Sequence, residues 1–324
     1  MKQGRGLSPY FMDALMYNTG PGLNPFLRTV LNDETLCLEI RENSINIYYR
    51  GGNLIRIDEQ KENFLAFFGR KYIINPEQTK LSPEISAQEI KDGRDVELWV
   101  GSIPFLKYEM DRWLHIHPKD EREFQQVIVR ENNFGNLAKA TDYFICDIEY
   151  DTECGRFDLI AVRWPSSGEN RKRNSNLGMA FIEMKYMDKS MVHSSGILTH
   201  ICDLEKYFRK TQDYFAQLKQ EMKRVFNQKL TLGLINNQKP IEAFDEDAPD
   251  LILVLANHDP DSRILINELL KIRSIIPTLP FKIKFAVGNF MGYGLYQNCI
   301  FEYEEFMNRF STQIYSQAKQ VDIL

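Results

Sequence analysis

GRFDLIAVRW (155–164) followed by MAFIEMKYM (179–187) decides the fold of this chain. Both are apolar runs of strand length, and both carry charge where a strand core ordinarily has none. Asp158 interrupts the first run, and Glu183 and Lys185 interrupt the second. In a strand, residues i and i+2 point to one face, so Glu183 and Lys185 project together while Ile182, Met184 and Tyr186 project to the other. The polar, basic stretch PSSGENRKRNSNLG (165–178) is a loop between the two runs. Antiparallel pairing around it would bring Asp158 beside Glu183. Burying an unpaired carboxylate is costly, and two neighbouring carboxylates repel. A divalent hard cation removes both penalties, and Mg²⁺ takes one or two protein carboxylates with other oxygens completing its octahedron. The plain structural alternative is an Asp158–Lys185 salt bridge with Glu183 facing solvent on a half-exposed sheet.

Working outward, KDEREFQQVIVREN (119–132) has Phe124, Val127, Ile128 and Glu131 at helical spacing and acids in its first turn. YFICDIEY (143–150) reads as a strand. A long amphipathic helix is expected over 201–228, with Leu204, Tyr207, Phe208, Phe215, Leu218, Met222 and Val225 as its apolar stripe. DLILVLANH (250–258) is apolar enough for a strand covered on both faces. A helix over 261–275, strands over 281–288 and 293–301, and a helix over 302–319 complete the chain. The order helix, three strands, helix, strand defines an α/β domain (α+β, mixed sheet) over 111–324. Upstream, LCLEIREN (36–43) alternates, and SINIYYRGGNLIRID (44–58) reads as a hairpin around Gly51-Gly52. KENFLAFFGRKYI (61–73) is expected as a helix, 75–95 as a linker and 1–33 as an irregular wrap. Together these form a small N-terminal α+β domain over 1–110, a candidate substrate- or partner-recognition region.

On these residues and this element order, GRFDLIAV…FIEMKY resembles the PD-(D/E)xK nuclease superfamily, which has the restriction-endonuclease-like fold. The resemblance covers about residues 118–258 and implies an αβββαβ core. It also implies an Asp on the second core strand and (D/E)-x-K on the third, matched by Asp158, Glu183 and Lys185; Phe157 stands where the family's name has Pro. The implied activity is metal-dependent hydrolysis of phosphodiester bonds in nucleic acid, DNA ahead of RNA. Asp158 and Glu183 would hold Mg²⁺ or Mn²⁺, and Lys185 would assist water activation and stabilise charge. Glu149, and Glu121 on the first helix, are candidates for a further metal ligand. Asp147 shares a face with Glu149 but reads as an ordinary solvated carboxylate. His200 and Asp203 are candidate supporting residues, although each also fits the first turn of a helix with no further role.

Candidate phosphate contacts are Arg171, Lys172 and Arg173 in the loop between the motif strands, and Lys206, Arg209 and Lys210 on the long helix. A charge run is ordinarily a solvated helix face. Tyr48, Tyr49 and Arg50 either stack on bases or pack the small β-domain. The whole chain has 324 residues, 43% hydrophobic and 26% charged, with a formal net charge of −5. That is ordinary globular usage and excludes a disordered or collagen-like chain. It also excludes a wholesale basic coat, so any nucleic-acid contact must come from local patches or metal. There is no apolar run near the ~20 residues of a membrane span, and the N-terminus lacks the apolar core of a signal peptide. The five scattered cysteines form no C-x-x-C pair. A cytoplasmic chain with reduced thiols and no membrane partner is expected. His115-x-His117 lacks a third ligand at useful spacing, and GNFMGYG (288–294) is better read as a hairpin turn than as a phosphate loop. Two functions follow: a metal-dependent nuclease, or a nuclease-fold module that binds nucleic acid or assembles without cutting. A homodimer is a candidate assembly for either.

Overall fold

The computed structural model describes residues 4–17, 21–61, 63–77, 79, 85, 87–135, 138–192, 196–210, 212–237, 239–257, 263–288 and 300–310. The chain is mixed α/β and forms two compact units, Met1–Asn136 with Gln220–Ile241, and Leu137–Lys219 with Glu242–Leu324. No helix among the described residues is long and apolar enough to cross a membrane.

The first unit opens with two helices where an irregular wrap was expected, α1 (Pro9–Tyr17) and α2 (Asn24–Asn32). Proline at the start of α2 fits the first helical turn, where its missing N–H has no intrahelical partner to lose. An antiparallel sheet follows in chain order, β1 (Leu36–Ile40), β2 (Ser44–Tyr49), β3 (Gly52–Glu59), β4 (Phe64–Phe67) and β5 (Ala87–Ile90). The β2–β3 hairpin turns through Arg50 and Gly51, both left-handed at φ 47° and 71°. A Cβ on Gly51 would stand 2.5 Å from the Arg122 Cβ, so the turn needs glycine for space as well as conformation.

Residues 64–67 form β4 and not the expected helix. The stretch FLAF has no period to read, and pairing with β3 and β5 decides its conformation. The expected linker contains β5 and leads into a 24-residue helix, α3 (Gly93–Ile116). The Asp92 side chain caps α3 by accepting from the Arg94 and Asp95 N–H groups at 2.8 and 3.3 Å. α4 (Asp120–Asn133) closes this part of the unit, with Phe124, Ile128 and Val129 buried.

The second unit is built on a six-stranded mixed sheet. Its strands are β6 (Tyr143–Thr152), β7 (Gly155–Arg163), β8 (Gly178–Tyr186), β9 (Asp250–Ala256), β10 (Lys282–Gly288) and β11 (Ile300–Glu302), in spatial order β11-β10-β9-β8-β7-β6. β6, β7 and β8 are antiparallel neighbours, while β9 runs parallel to β8 and β10. Every residue of β9 is buried, as the apolar run 251–256 that follows Asp250 requires.

Between β8 and β9 the single long helix expected is two, α5 (Ile197–Lys210) and α6 (Gln212–Thr231). Its apolar stripe serves two cores. Leu204 and Tyr207 belong to the second unit, whereas Met222, Val225 and Phe226 belong to the first. α7 (Arg263–Ile272) and α8 (Tyr303–Phe310) are the remaining α-helices among the described residues. His193, His258, residues 289–294 of the Gly-rich stretch, strand residues 293–299 and helix residues 311–319 lie outside the described residues.

Candidate active site

The β7–β8 ladder pairs Ile160 with Phe181 and Leu159 with Ile182. One rung further, Asp158 meets Glu183, the juxtaposition that antiparallel pairing implied. There a side chain takes over from the backbone ladder: the Met184 N–H donates to Asp158 Oδ2 at 2.8 Å. The Asp158 and Glu183 carboxyls also share a hydrogen bond. Lys185 Nζ donates to Glu183 Oε1 at 3.1 Å, and Nδ1 of His200, in the first turn of α5, lies 3.0 Å from the same oxygen. Asp158, Glu183 and Lys185 are 6%, 2% and 1% exposed, so Glu183 does not face solvent and the simple salt-bridge alternative is incomplete.

Burial dominates the electrostatics. It pushes the Asp158 carboxyl up, against the Lys185 ammonium, the Met184 N–H, the Glu183 hydrogen bond and the Arg156 charge. It also lifts Glu183 well above the ordinary carboxylate range, and the Asp158 charge adds to the lift. Two carboxyls sharing a hydrogen bond, with more negative charge when ionised than Lys185 alone cancels, are a donor set that fits a divalent cation. Among the described residues no three His, Cys, Asp or Glu side chains are gathered as a metal-holding group. Mg²⁺ asks for only one or two protein carboxylates, so this count leaves the fit intact.

The chain matches no family model, no curated protein and no solved structure.

Glu149 is half-buried with φ 51°. It lies between the rungs Ile148↔Leu159 and Tyr150↔Phe157, and so falls opposite Asp158. Asp147 is fully buried and not solvated as expected; its Oδ1 accepts from the Ile148 N–H at 2.8 Å, beside a register shift in β6. Glu121 is half-buried in the first turn of α4 and belongs to the first unit. Asp203 packs against the β6–β7 hairpin, where a Cβ on Gly155 would stand 3.1 Å from its Oδ2. Asp203 Oδ1 is also 3.5 Å from Lys206 Nζ.

The cations expected to meet phosphate divide sharply. Arg171 is folded inward, with its guanidinium 4.5 Å from the Phe144 ring centre and 5.8 Å from that of Trp164, and it donates to the Thr141 carbonyl. Burial pushes it down to about 10, still protonated at neutral pH, and these contacts make it a brace of the loop. Arg173 pairs with Glu169 at 3.0 Å, Arg209 with Glu205 at 2.7 Å, and Lys210 with Glu153. These are exposed pairs of opposite charge, each worth at most about 1 kcal/mol, and they add no net positive charge. Lys172 is exposed.

In the first unit, Tyr48 is buried, while the Tyr49 hydroxyl and the Arg50 guanidinium both bond Asp111. These three pack their domain. A cleft of 320 Å³ lies away from the carboxylates, at the starts of β8 and β10. Its Arg163 and Lys284 are both tied to buried Asp250, at 3.2 and 3.1 Å. The residue that sequence reasoning passed over is Arg156, two positions before Asp158 in the same quoted stretch.

Proposed function

We propose that the second unit is a metal-dependent nuclease of the PD-(D/E)xK type, hydrolysing phosphodiester bonds in nucleic acid. The observation that carries this is the buried Asp158–Glu183–Lys185 cluster, in which two carboxyls share a hydrogen bond beside one ammonium. Three antiparallel strands followed by α5, α6 and a parallel strand support the βββαβ part of an αβββαβ core, with α4, which precedes them in the chain and belongs to the first unit, in the place of its leading helix. The buried Glu39–Lys229 pair of the first unit balances one charge of each sign, whereas this cluster sets two carboxyls against one ammonium, an imbalance that a bound cation relieves.

Asp158 and Glu183 would hold Mg²⁺ or Mn²⁺, with the Met184 N–H fixing Asp158 Oδ2 and Lys185 fixing Glu183 Oε1. The bound ion supplies Lewis-acid polarisation of a phosphoryl oxygen. Lys185 Nζ, held by its buried stem, orients the attacking water and offsets the charge that develops on the phosphoryl group. His200 supports Glu183 through Oε1. The P–O bond to the leaving oxygen breaks as the water oxygen adds, and the water's protons leave with the products and solvent.

The test is cleavage of labelled single-stranded, duplex and branched DNA and of RNA in Mg²⁺ or Mn²⁺, with Asp158→Asn and Lys185→Met as controls. Cleavage by the native chain that both variants abolish supports the reading. Cleavage that survives in both overturns it. Folded native protein that binds these substrates but cuts none under either metal supports the non-catalytic module instead.

A further inference from the structure

Arg156 occupies the second position of β7, two residues before Asp158, a strand rise of about 6.6 Å. It is exposed, whereas Asp158 is buried. Residues i and i+2 of a strand point to one face, so Arg156 projects from the same side of β7 as Asp158. The other cations near the hairpin and along α5 are committed: Lys206 to Asp203, Arg209 to Glu205 and Lys210 to Glu153. Among the described residues Arg156 forms no such pair. Asp151 is its cross-strand neighbour in the β6–β7 register and still does not hold it in an ion pair. A guanidinium presents its N–H groups in a planar fork that matches two oxygens of a phosphate.

We propose that Arg156 is the phosphate anchor of this site. It takes the non-bridging oxygens of a nucleic-acid backbone phosphate on the face of β7 that carries Asp158. This assignment rests on the nuclease reading and adds to it the residue that seats the substrate. The arrangement divides the labour: buried carboxyls keep the ion, a buried ammonium faces the reacting centre, and an exposed guanidinium meets the incoming polyanion first.

The experiment measures anisotropy of a fluorescein-labelled oligonucleotide, single-stranded and duplex, DNA and RNA, across a salt series in Ca²⁺ and in EDTA. Mn²⁺ binding is followed separately by calorimetry without nucleic acid. Arg156→Gln should weaken binding by about ten- to hundred-fold at low salt. The salt dependence should become shallower by about 0.9 for duplex or about 0.7 for a single strand, the mark of one lost phosphate contact. Arg156→Lys should restore the slope and only part of the affinity. In cleavage, KM should rise more than kcat falls, and Mn²⁺ affinity should stay within about three-fold.

If Arg156→Gln binds with native affinity and slope, the assignment is wrong, and the nuclease reading stands if the native chain cuts. If Arg156→Gln loses Mn²⁺, the guanidinium serves the carboxyls and the assignment is also wrong. If the native chain binds no oligonucleotide under any of these conditions, both readings fail together.

Discussion

Replacing Glu183 with glutamine separates a metal site from a structural ion pair, because the two predict opposite signs. Glutamine keeps the acceptor at Oε1 for Lys185 and His200, at 3.1 and 3.0 Å, and can donate to Asp158 from its amide. Only the charge is lost. In the metal-free protein that charge is badly placed. Like charges about 4 Å apart repel by about 4 kcal/mol at an effective dielectric of about 20, and the Lys185 ammonium returns a similar amount. What remains is desolvation, several kcal/mol for a buried ion, and it is this burial that raises the Glu183 carboxyl well above its ordinary range. The Glu183 carboxyl is raised in the folded state. The stability contributed by its protonated form is therefore full on the acid side of the ordinary carboxylate range and is lost as pH rises through the raised value. Glutamine has no such proton to lose. In EDTA, Glu183→Gln should match the native protein on the acid side of the ordinary carboxylate range and exceed it by about 1–2 kcal/mol near pH 8. With Mn²⁺ at about 100 times its Kd the order should reverse, since only the native site gains the ~2.7 kcal/mol of ligand stabilisation. Urea denaturation under the three conditions reads all of this. A Glu183→Gln variant less stable than native by more than about 1 kcal/mol at pH 8 in EDTA would refute the reasoning, because the carboxylate would then be a net stabilising ion-pair partner.

Three further outcomes are expected. Lys185→Met should lower kcat by about 10²–10³ with little change in KM; because it leaves two buried carboxyls without their cation, the variant must be assayed metal-loaded, and a kcat within ten-fold of native would remove Lys185 from the chemistry. In the first unit, Lys229 and Glu39 form a buried pair at 2.7 and 2.8 Å, 1% and 0% exposed. Lys229→Met should cost about 3–5 kcal/mol, while the double change with Glu39→Leu should recover most of it, as a urea double-mutant cycle will show. Arg171→Ala should cost about 1–3 kcal/mol through its aromatic stack and its carbonyl bond, and should leave the salt slope of oligonucleotide binding unchanged, unlike Arg156→Gln.

How much of this was legible follows from what each signal depends on. β7, β8 and β9 could be read almost to the residue because bounded apolar runs leave little choice, and the charges inside them stand out against that background. The meeting of Asp158 with Glu183 was implied by antiparallel pairing alone, and Leu159↔Ile182 is the rung before it. α3 was not read from the sequence; Gly101 and Pro104 lie inside it, and burial of Val96, Trp99, Leu106 and Met110 outweighs their low helix propensity. β4 and β5 are set by each other's hydrogen bonds and not by any period of their own. His200 could be placed near a helix start, but its contact with Glu183 depends on the phase of a helix that begins at Ile197, four residues before the expected start.

The charges were the hardest to read, for a reason that bears on function. A sequence shows that a residue is cationic but not how deep it lies or what neutralises it. Arg171 lies in the most basic run of the loop, and folding spends it on Phe144, Trp164 and a carbonyl. Lys206, Arg209 and Lys210 lie in the basic helix, and folding gives each a carboxylate. Arg156 looks unremarkable because its neighbours in sequence are apolar. Those same neighbours hold it on a strand two residues from a buried acid, exposed and without an ion pair. The net charge of −5 therefore carries little information about phosphate binding. What matters is which positive charges stay uncommitted after folding, and by that measure one arginine on the strand of the buried Asp158 outweighs the paired cations of the loop and of α5.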